Sequence, residues 1–382
     1  MKKSFRILAL ALVAMMLVGT LAGCGDSTSG KFIFGGIGPL TGTASTYGQS
    51  VRNGAQIAVD EINAAGGING VQIAFLFEDD EADGAKSVPA YETLMDKGMN
   101  VLIGAVTSGA SVALNKVIGE DGILQITPSA SQLEAANVNS NSFRVCFTDP
   151  LQGVAMADYA YNTLGYKNAA VIHNQDDDYS TGIYKAFVEE FKKLGGKISE
   201  DVSFAKDASD FSAQMTKVAA SDADFLFMPI YAEKAAQIII AANDKGIKLP
   251  LLGGDGLDGI LEYLEGDNAK LCEGLIYLTP FVSTDSDPKV QAFTKTYTEK
   301  YKKVPDQFAA DAYDAIYIAA KAIEKTGCTD PKALDNAAVV AAMDGIEFDG
   351  LTGKMVFDAA GEPNKGAKVA KIVNGEYVAQ SN

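Results

Sequence analysis

From residue 31 onward, short runs of apolar residues alternate with longer stretches in which apolar positions recur every three or four residues, as strands and amphipathic helices do in turn. Residues 31–37 predict a first strand. Over 48–64, Val51, Ala55, Ala58 and Ile62 share one helical face while Arg52, Asp60 and Glu61 lie off it, which predicts a helix resting on a sheet. Gly66-Gly67 and Asn69-Gly70 stop that helix, and strands follow at 71–77, 101–103 and 123–126. After the break at Asp149-Pro150 a second series begins. Its strands are predicted near 169–172, 197–203, 225–228, 251–253 and 275–277, with helices between them. Residues 308–321 read as a further helix and 350–357 as a late strand or turn. The alternation predicts an α/β fold with mainly parallel sheets in two doubly wound units, and 382 residues is room enough for two domains.

The first thirty residues follow a different rule. Met1 to Arg6 is basic and 7–18 is an almost unbroken apolar run, the layout of an export leader and shorter than the about 20 residues a membrane span needs. The run ends in Leu21-Ala22-Gly23-Cys24, which resembles the lipobox of bacterial lipoproteins. That resemblance implies a signal peptide at 1–23 and a diacylglycerol on the Cys24 thiol. Residues 24–30 then form the lipidated cysteine and a flexible polar tether. The mature chain is expected on the outer face of the bacterial cell membrane, held there by its lipid alone.

Composition narrows the partners. The formal net charge is −17 and becomes more negative still once Lys2, Lys3 and Arg6 leave with the leader, so nucleic acid is not an expected partner. Besides Cys24 there are Cys146, Cys272 and Cys328, an odd number at spacings that fit no metal site; buried free thiols are expected. His173 is the one histidine, and without a G-x-S-x-G elbow it reads as a strand-end residue hydrogen-bonded at a loop. Gly35-Gly36-Ile37-Gly38 follows a strand, yet Pro39 intervenes and Thr41 stands where a dinucleotide loop needs its third glycine. The acidic runs 78–81 and 176–178 lack the alternating ligands of a calcium loop and read as solvated strand ends. No catalytic residue, metal or cofactor is expected.

Small polar residues and tyrosines do gather at the C-terminal ends of predicted strands, where open α/β sheets bind ligands. Val106-Thr107-Ser108-Gly109 follows one strand and opens a helix whose free N–H groups suit a carboxylate, or else Ser108 or Ser111 simply caps that helix. Thr127-Pro128-Ser129-Ala130-Ser131 ends the next strand in the same way. In the second unit Tyr179, Tyr231 and Asp255-Gly256 each follow a strand. Asp255 is either a turn former or the counter-charge that a buried ammonium requires.

Along essentially the whole mature chain the sequence resembles the leucine/isoleucine/valine-binding protein family, the receptors of branched-chain amino-acid ABC importers. The likeness rests on Gly38-Pro39-Leu40-Thr41-Gly42 with Tyr47-Gly48, Glu61-Ile62-Asn63 with Gly66-Gly67-Ile68, residues 123–128 and 173–179, Phe211-Ser212, and residues 253–256 and 350–353, in this order. It implies two Rossmann-like lobes joined by a three-stranded hinge, the first formed by 31–149 plus 281–350 and the second by 150–280 plus 351–382. By matching position, Ser108 and Ser131 are implied to bind an α-carboxylate. The Ser129 carbonyl and Asp255 are implied to hold the α-ammonium with help from Tyr231, and Tyr47, Val106, Thr107, Tyr179, Gly256 and Phe308 to border the side-chain pocket. A monomer working with ABC permease subunits is the implied assembly. Asp255 replaces the glutamate of the best-known enteric members and the first-lobe disulfide of those members is absent, so relatives that take aromatic amino acids, amides or urea, or that serve as sensors, remain comparable.

Overall fold

A computed structural model describes residues 28–264, 266–358 and 360–380; the leader and Cys24 lie outside them. The first unit runs β1 (Phe32–Gly38), α1 (Ser45–Ala64), β2 (Ile73–Asp79), α2 (Gly84–Asp96), β3 (Val101–Gly104), α3 (Ser108–Asp121), β4 (Leu124–Thr127) and β5 (Ser142–Arg144). Its five strands form a parallel sheet in the order β2-β1-β3-β4-β5. Every residue of β1, β3 and β4 is buried, because helices cover both faces of a parallel sheet. That is why β1 and β3 appear in the sequence as apolar runs broken only by glycine.

The chain then crosses to a second unit: α4 (Asp149–Asp158), β6 (Asn168–Asn174), α5 (Asp178–Lys193), β7 (Lys197–Phe204), α6 (Ser212–Ala219), β8 (Phe225–Met228), α7 (Ala232–Asp244), β9 (Leu251–Gly253) and β10 (Ile276–Thr279). It returns to the first unit with α8 (Pro288–Tyr301), α9 (Gln307–Thr326), α10 (Asn336–Ala341) and the hairpin β11 (Glu347–Gly350) and β12 (Gly353–Val356). A third crossing leads to β13 (Lys368–Val373) and β14 (Glu376–Ala379), which add antiparallel strands to give the order β14-β13-β10-β9-β8-β6-β7. Position 350, expected to end the first lobe, falls inside the β11–β12 hairpin, so the third crossing runs after Val356. Helix α9 docks on α1 so closely that a Cβ on Gly54 would collide with the Ala309 backbone.

Buried charges fasten these crossings. Arg144 donates to the carbonyls of Ala130, Gln132 and Leu133 at 2.7–2.8 Å and pairs with Glu362 at 2.8 Å. Lys365, on the third crossing, donates to Asp311 of α9 at 2.8 Å, to Thr352 at 2.6 Å and to the Val145 carbonyl at 3.0 Å. Each pair joins segments that are remote in sequence, and a buried pair is costly to break.

Candidate ligand-binding site

The C-terminal ends of both sheets face one cleft. On the first-lobe side the chain leaves β3 through Val106 and Thr107 and enters α3 at Ser108. Thr107 is the N-cap by backbone alone, in extended conformation and without a side-chain cap. Neither serine caps the helix: Ser108 Oγ accepts from the Gln132 N–H at 3.3 Å, and Ser111 Oγ accepts from Gln125 Nε2 at 3.1 Å. Ser129 Oγ donates to the Val106 carbonyl at 2.7 Å, locking the loops after β3 and β4 together. Thr107 Oγ1 and Ser131 Oγ are buried without a hydrogen-bond partner among the described residues. These hydroxyls and the N-terminus of α3 thus form an anion-accepting rim.

The second-lobe side is acidic and aromatic. Tyr179, in the first turn of α5, donates its hydroxyl to Asp255 Oδ1 at 2.9 Å and accepts from the Gly256 N–H at 2.7 Å. A Cβ at Gly256 would lie 2.6 Å from that hydroxyl, so the contact needs glycine. Tyr231 precedes α7 and stacks on Tyr179, with centroids 4.7 Å apart and planes 6° from parallel. Burial pushes the Asp255 carboxyl up to about 7, although Tyr179 and Gln152 favour its ionised form.

Tyr47, from α1 of the first lobe, reaches across. It donates to the Gly256 carbonyl and accepts from the Ala232 N–H, both at 2.7 Å, and packs on Phe308 at 4.4 Å and Tyr231 at 5.5 Å. The lobes are therefore closed. At the mouth of the cleft a cavity of about 190 Å³ lies between Thr43, Thr107 and Gly109 on one lobe and Asp177, Lys206 and Tyr231 on the other.

Two side chains here were not read from the sequence. Asp149 and Gln152 lie on α4, where Asp149-Pro150 reads as a break between units. Gln152 Oε1 accepts from the Asp255 N–H at 2.8 Å. Asp149 is buried, and neither of its oxygens has a partner in hydrogen-bonding geometry among the described residues. Burial pushes its carboxyl well above the usual range; the Ser131 hydroxyl pulls it back, Asp255 raises it further, and Arg144 opposes that. Asp149, Asp177 and Asp255 all raise the same Tyr231 hydroxyl. An acid in the first turn of a helix is ordinarily solvated and favoured by the dipole, so its burial left no sign in the sequence.

Other expectations are corrected. His173 Nδ1 has no hydrogen-bond partner among the described residues; the ring stacks on Tyr184 at 3.9 Å, with Asp201 at 3.7 Å. Within the acidic run 78–81, Asp80 is fully buried and accepts from the Ala82 N–H and Ser87 Oγ, so it is not solvated. Cys146 and Cys272 are buried free thiols, whereas Cys328 is half-exposed.

Two doubly wound lobes, three crossings and an enclosed polar cleft define a hinged solute-binding protein. A family model described as periplasmic binding protein matches residues 33–376. Leu/Ile/Val-binding protein homolog 3 of Brucella melitensis is 30% identical over 358 residues, covering 92% of this chain and 94% of that protein. The solved structure of LivJ, the branched-chain amino acid transporter substrate-binding protein of Streptococcus pneumoniae, in complex with isoleucine, has a TM-score of 0.83 at 30% identity, covering 92% and 100% of the two chains. A solute-binding protein of an R. palustris ABC transporter, solved with benzoate, shares the fold at a TM-score of 0.83 and 24% identity, covering 92% and 96%. The chain belongs to the periplasmic binding protein family, whose members bind solutes outside the cytoplasm and are not enzymes. Among the described residues no helix is long and apolar enough to cross a membrane.

Proposed function

We propose that this protein captures branched-chain or related aliphatic amino acids for an ABC importer. The carrying observation is the buried Asp255 carboxyl on the second lobe together with the buried hydroxyls of Thr107 at the start of α3 and of Ser131 after β4 on the first. In this reading Ser108 and Ser131 receive the α-carboxylate. Asp255 and the Ser129 carbonyl hold the α-ammonium with Tyr231, and Asp149 adds a second carboxyl nearby, which the ammonium draws toward its ionised form. Tyr47, Val106, Thr107, Tyr179, Gly256 and Phe308 enclose the side chain. A zwitterion leaves neither end of such a site unpaired, which offsets the cost of burying it.

Binding to one lobe supplies contacts that favour closure on the other, and the closed form is what the permease receives. A dissociation constant of about 1 μM or tighter is expected, near −8 kcal/mol. Calorimetry against the twenty amino acids, after partial unfolding has removed any co-purified solute, tests the assignment. Heat from the aliphatic amino acids supports it, and no heat from any of the twenty rejects it. The protein acts as a monomer anchored through Cys24; metabolic labelling with a radioactive fatty acid, lost in Cys24→Ser, checks the anchor.

A further inference from the structure

Helix α9 begins at Gln307, and its N-terminus is crowded by two carboxylates from opposite lobes. Asp306, the half-buried N-cap, accepts from the Ala309 N–H at 3.0 Å through Oδ1 and from Ser50 Oγ of α1 at 2.7 Å through Oδ2. From the second lobe, Asp258, in the turn after β9, accepts from the Gln307 N–H at 2.9 Å and from the Tyr277 hydroxyl of β10 at 2.9 Å. A Cβ on the adjacent Gly259 would stand 3.8 Å from Asp306 Oδ2, so the opposite lobe reaches the N-cap itself. One helix N-terminus supplies roughly half a positive charge, too little for two carboxylates.

Among the described residues the surroundings add no free cation to this pair. From α9 the next acid is Asp311, already joined to Lys365 at 2.8 Å. From the turn after Asp258 comes Glu262, joined to Lys303 at 2.6 Å. Tyr277 and Tyr377 of β10 and β14, Tyr297 of α8 and Tyr47 of α1 face the pair as neutral hydroxyls, each raised by Asp258 or Asp306.

We propose that closing the lobes takes up a proton at the Asp258–Asp306 pair, so that acid favours the closed form and alkali releases it. Burial, with repulsion from Asp258, pushes Asp306 up to about 8, and burial, with repulsion from Asp311, pushes Asp258 up to about 6. Lobe opening returns both to water and to the ordinary carboxylate range. A carboxyl raised in the closed form contributes fully below its open-state value and loses that contribution as the pH rises through 6 to 8.

The inference rests on the hinged closure, and only its first test uses the proposed ligand. Leucine binding is measured by calorimetry at pH 7 in phosphate and in Tris, which gives the protons exchanged. Asp306→Asn and Asp258→Asn keep one acceptor oxygen for the helix N–H and present the amide nitrogen as a donor to the Ser50 or Tyr277 hydroxyl, and asparagine caps a helix well, so both are expected to fold with unchanged melting. At pH 7 a carboxyl held at about 8 is roughly nine-tenths protonated and one at about 6 roughly one-tenth, so Asp306→Asn is expected to take up about one proton fewer than the parent and Asp258→Asn a smaller fraction fewer; equal counts in all three would overturn the link. The second test needs no ligand: the radius of gyration of the solute-free protein by X-ray scattering is expected to fall from pH 8.5 to 5.5 in the parent and to stay level in both variants. If leucine gives no heat, the ligand assignment fails and scattering alone decides. Parent and variant curves that coincide there reject the proton link.

Discussion

The Tyr47 hydroxyl, on the first lobe, lies 2.7 Å from the Gly256 carbonyl on the second, and accepts from the Ala232 N–H at the same distance. One oxygen thereby ties the lobes and fills two backbone valences that opening would return to water. Tyr47→Phe keeps the ring contacts with Phe308 and Tyr231 but leaves a buried N–H and C=O unpaired only in the closed form. It is expected to weaken solute binding by about 1–3 kcal/mol, mostly through a faster dissociation rate read by stopped-flow fluorescence, with little change in thermal stability.

Asp255→Asn should cost at least about 2 kcal/mol in amino-acid affinity, because it strips the ammonium of its counter-charge. The Tyr179 hydroxyl can still donate to the amide oxygen, so the fold is expected to stand. Calorimetry with leucine and with its deaminated analogue separates the two roles: the loss should be confined to the ligand that carries the ammonium.

The same residue predicts a pH dependence of its own. Burial holds the Asp255 carboxyl at about 7, and an ammonium beside it brings that value down, so binding releases a proton and weakens as the pH falls below 7. The Asp258–Asp306 pair works in the opposite sense. In Asp306→Asn, affinity for leucine is accordingly expected to fall from pH 8 to 6 more steeply than in the parent, as titration calorimetry across that range would show.

The alternation of apolar runs with helical periods gave away the parallel core of both sheets, because strands buried on both faces are mostly apolar. β13 and β14 escaped notice: Lys368 and Lys371 interrupt β13, and β14 is a short edge strand bearing Glu376. Strand-end position singled out Ser108, Ser129, Ser131 and Asp255, and all four are buried, after β3, β4 and β9. The charged hinge was illegible. Nothing in the sequence marks Arg144, Lys365 and Asp311 as buried, because burial of a charge depends on a partner far away in the chain, as Lys365 and Asp311 are.

That hinge pair carries its own expectation. Lys365→Met leaves Asp311 buried and unpaired, and should destabilise the protein by about 3–5 kcal/mol. The double variant Lys365→Met with Asp311→Leu removes both charges, and is expected to recover most of that loss. Chemical denaturation of the two variants checks it. A double variant as unstable as the single one would show that the hydrogen bonds to Thr352 and Val145, rather than the ion pair, hold the third crossing.

Asp149 separates a role in the fold from a role in binding. Its oxygens are buried, and the Ser131 hydroxyl and the Arg144 charge only partly offset their desolvation. A group kept at such a cost serves something that arrives later, and Ser131, Asp255 and Tyr231 place it beside the proposed ammonium. Asp149→Asn preserves shape against the close-packed Gly182 and removes the charge. Its melting temperature is expected to stay level or rise, by about 1 kcal/mol in stability, while affinity for leucine drops by about tenfold, or 1.4 kcal/mol. Lower stability with unchanged affinity would make Asp149 a structural residue of α4 instead.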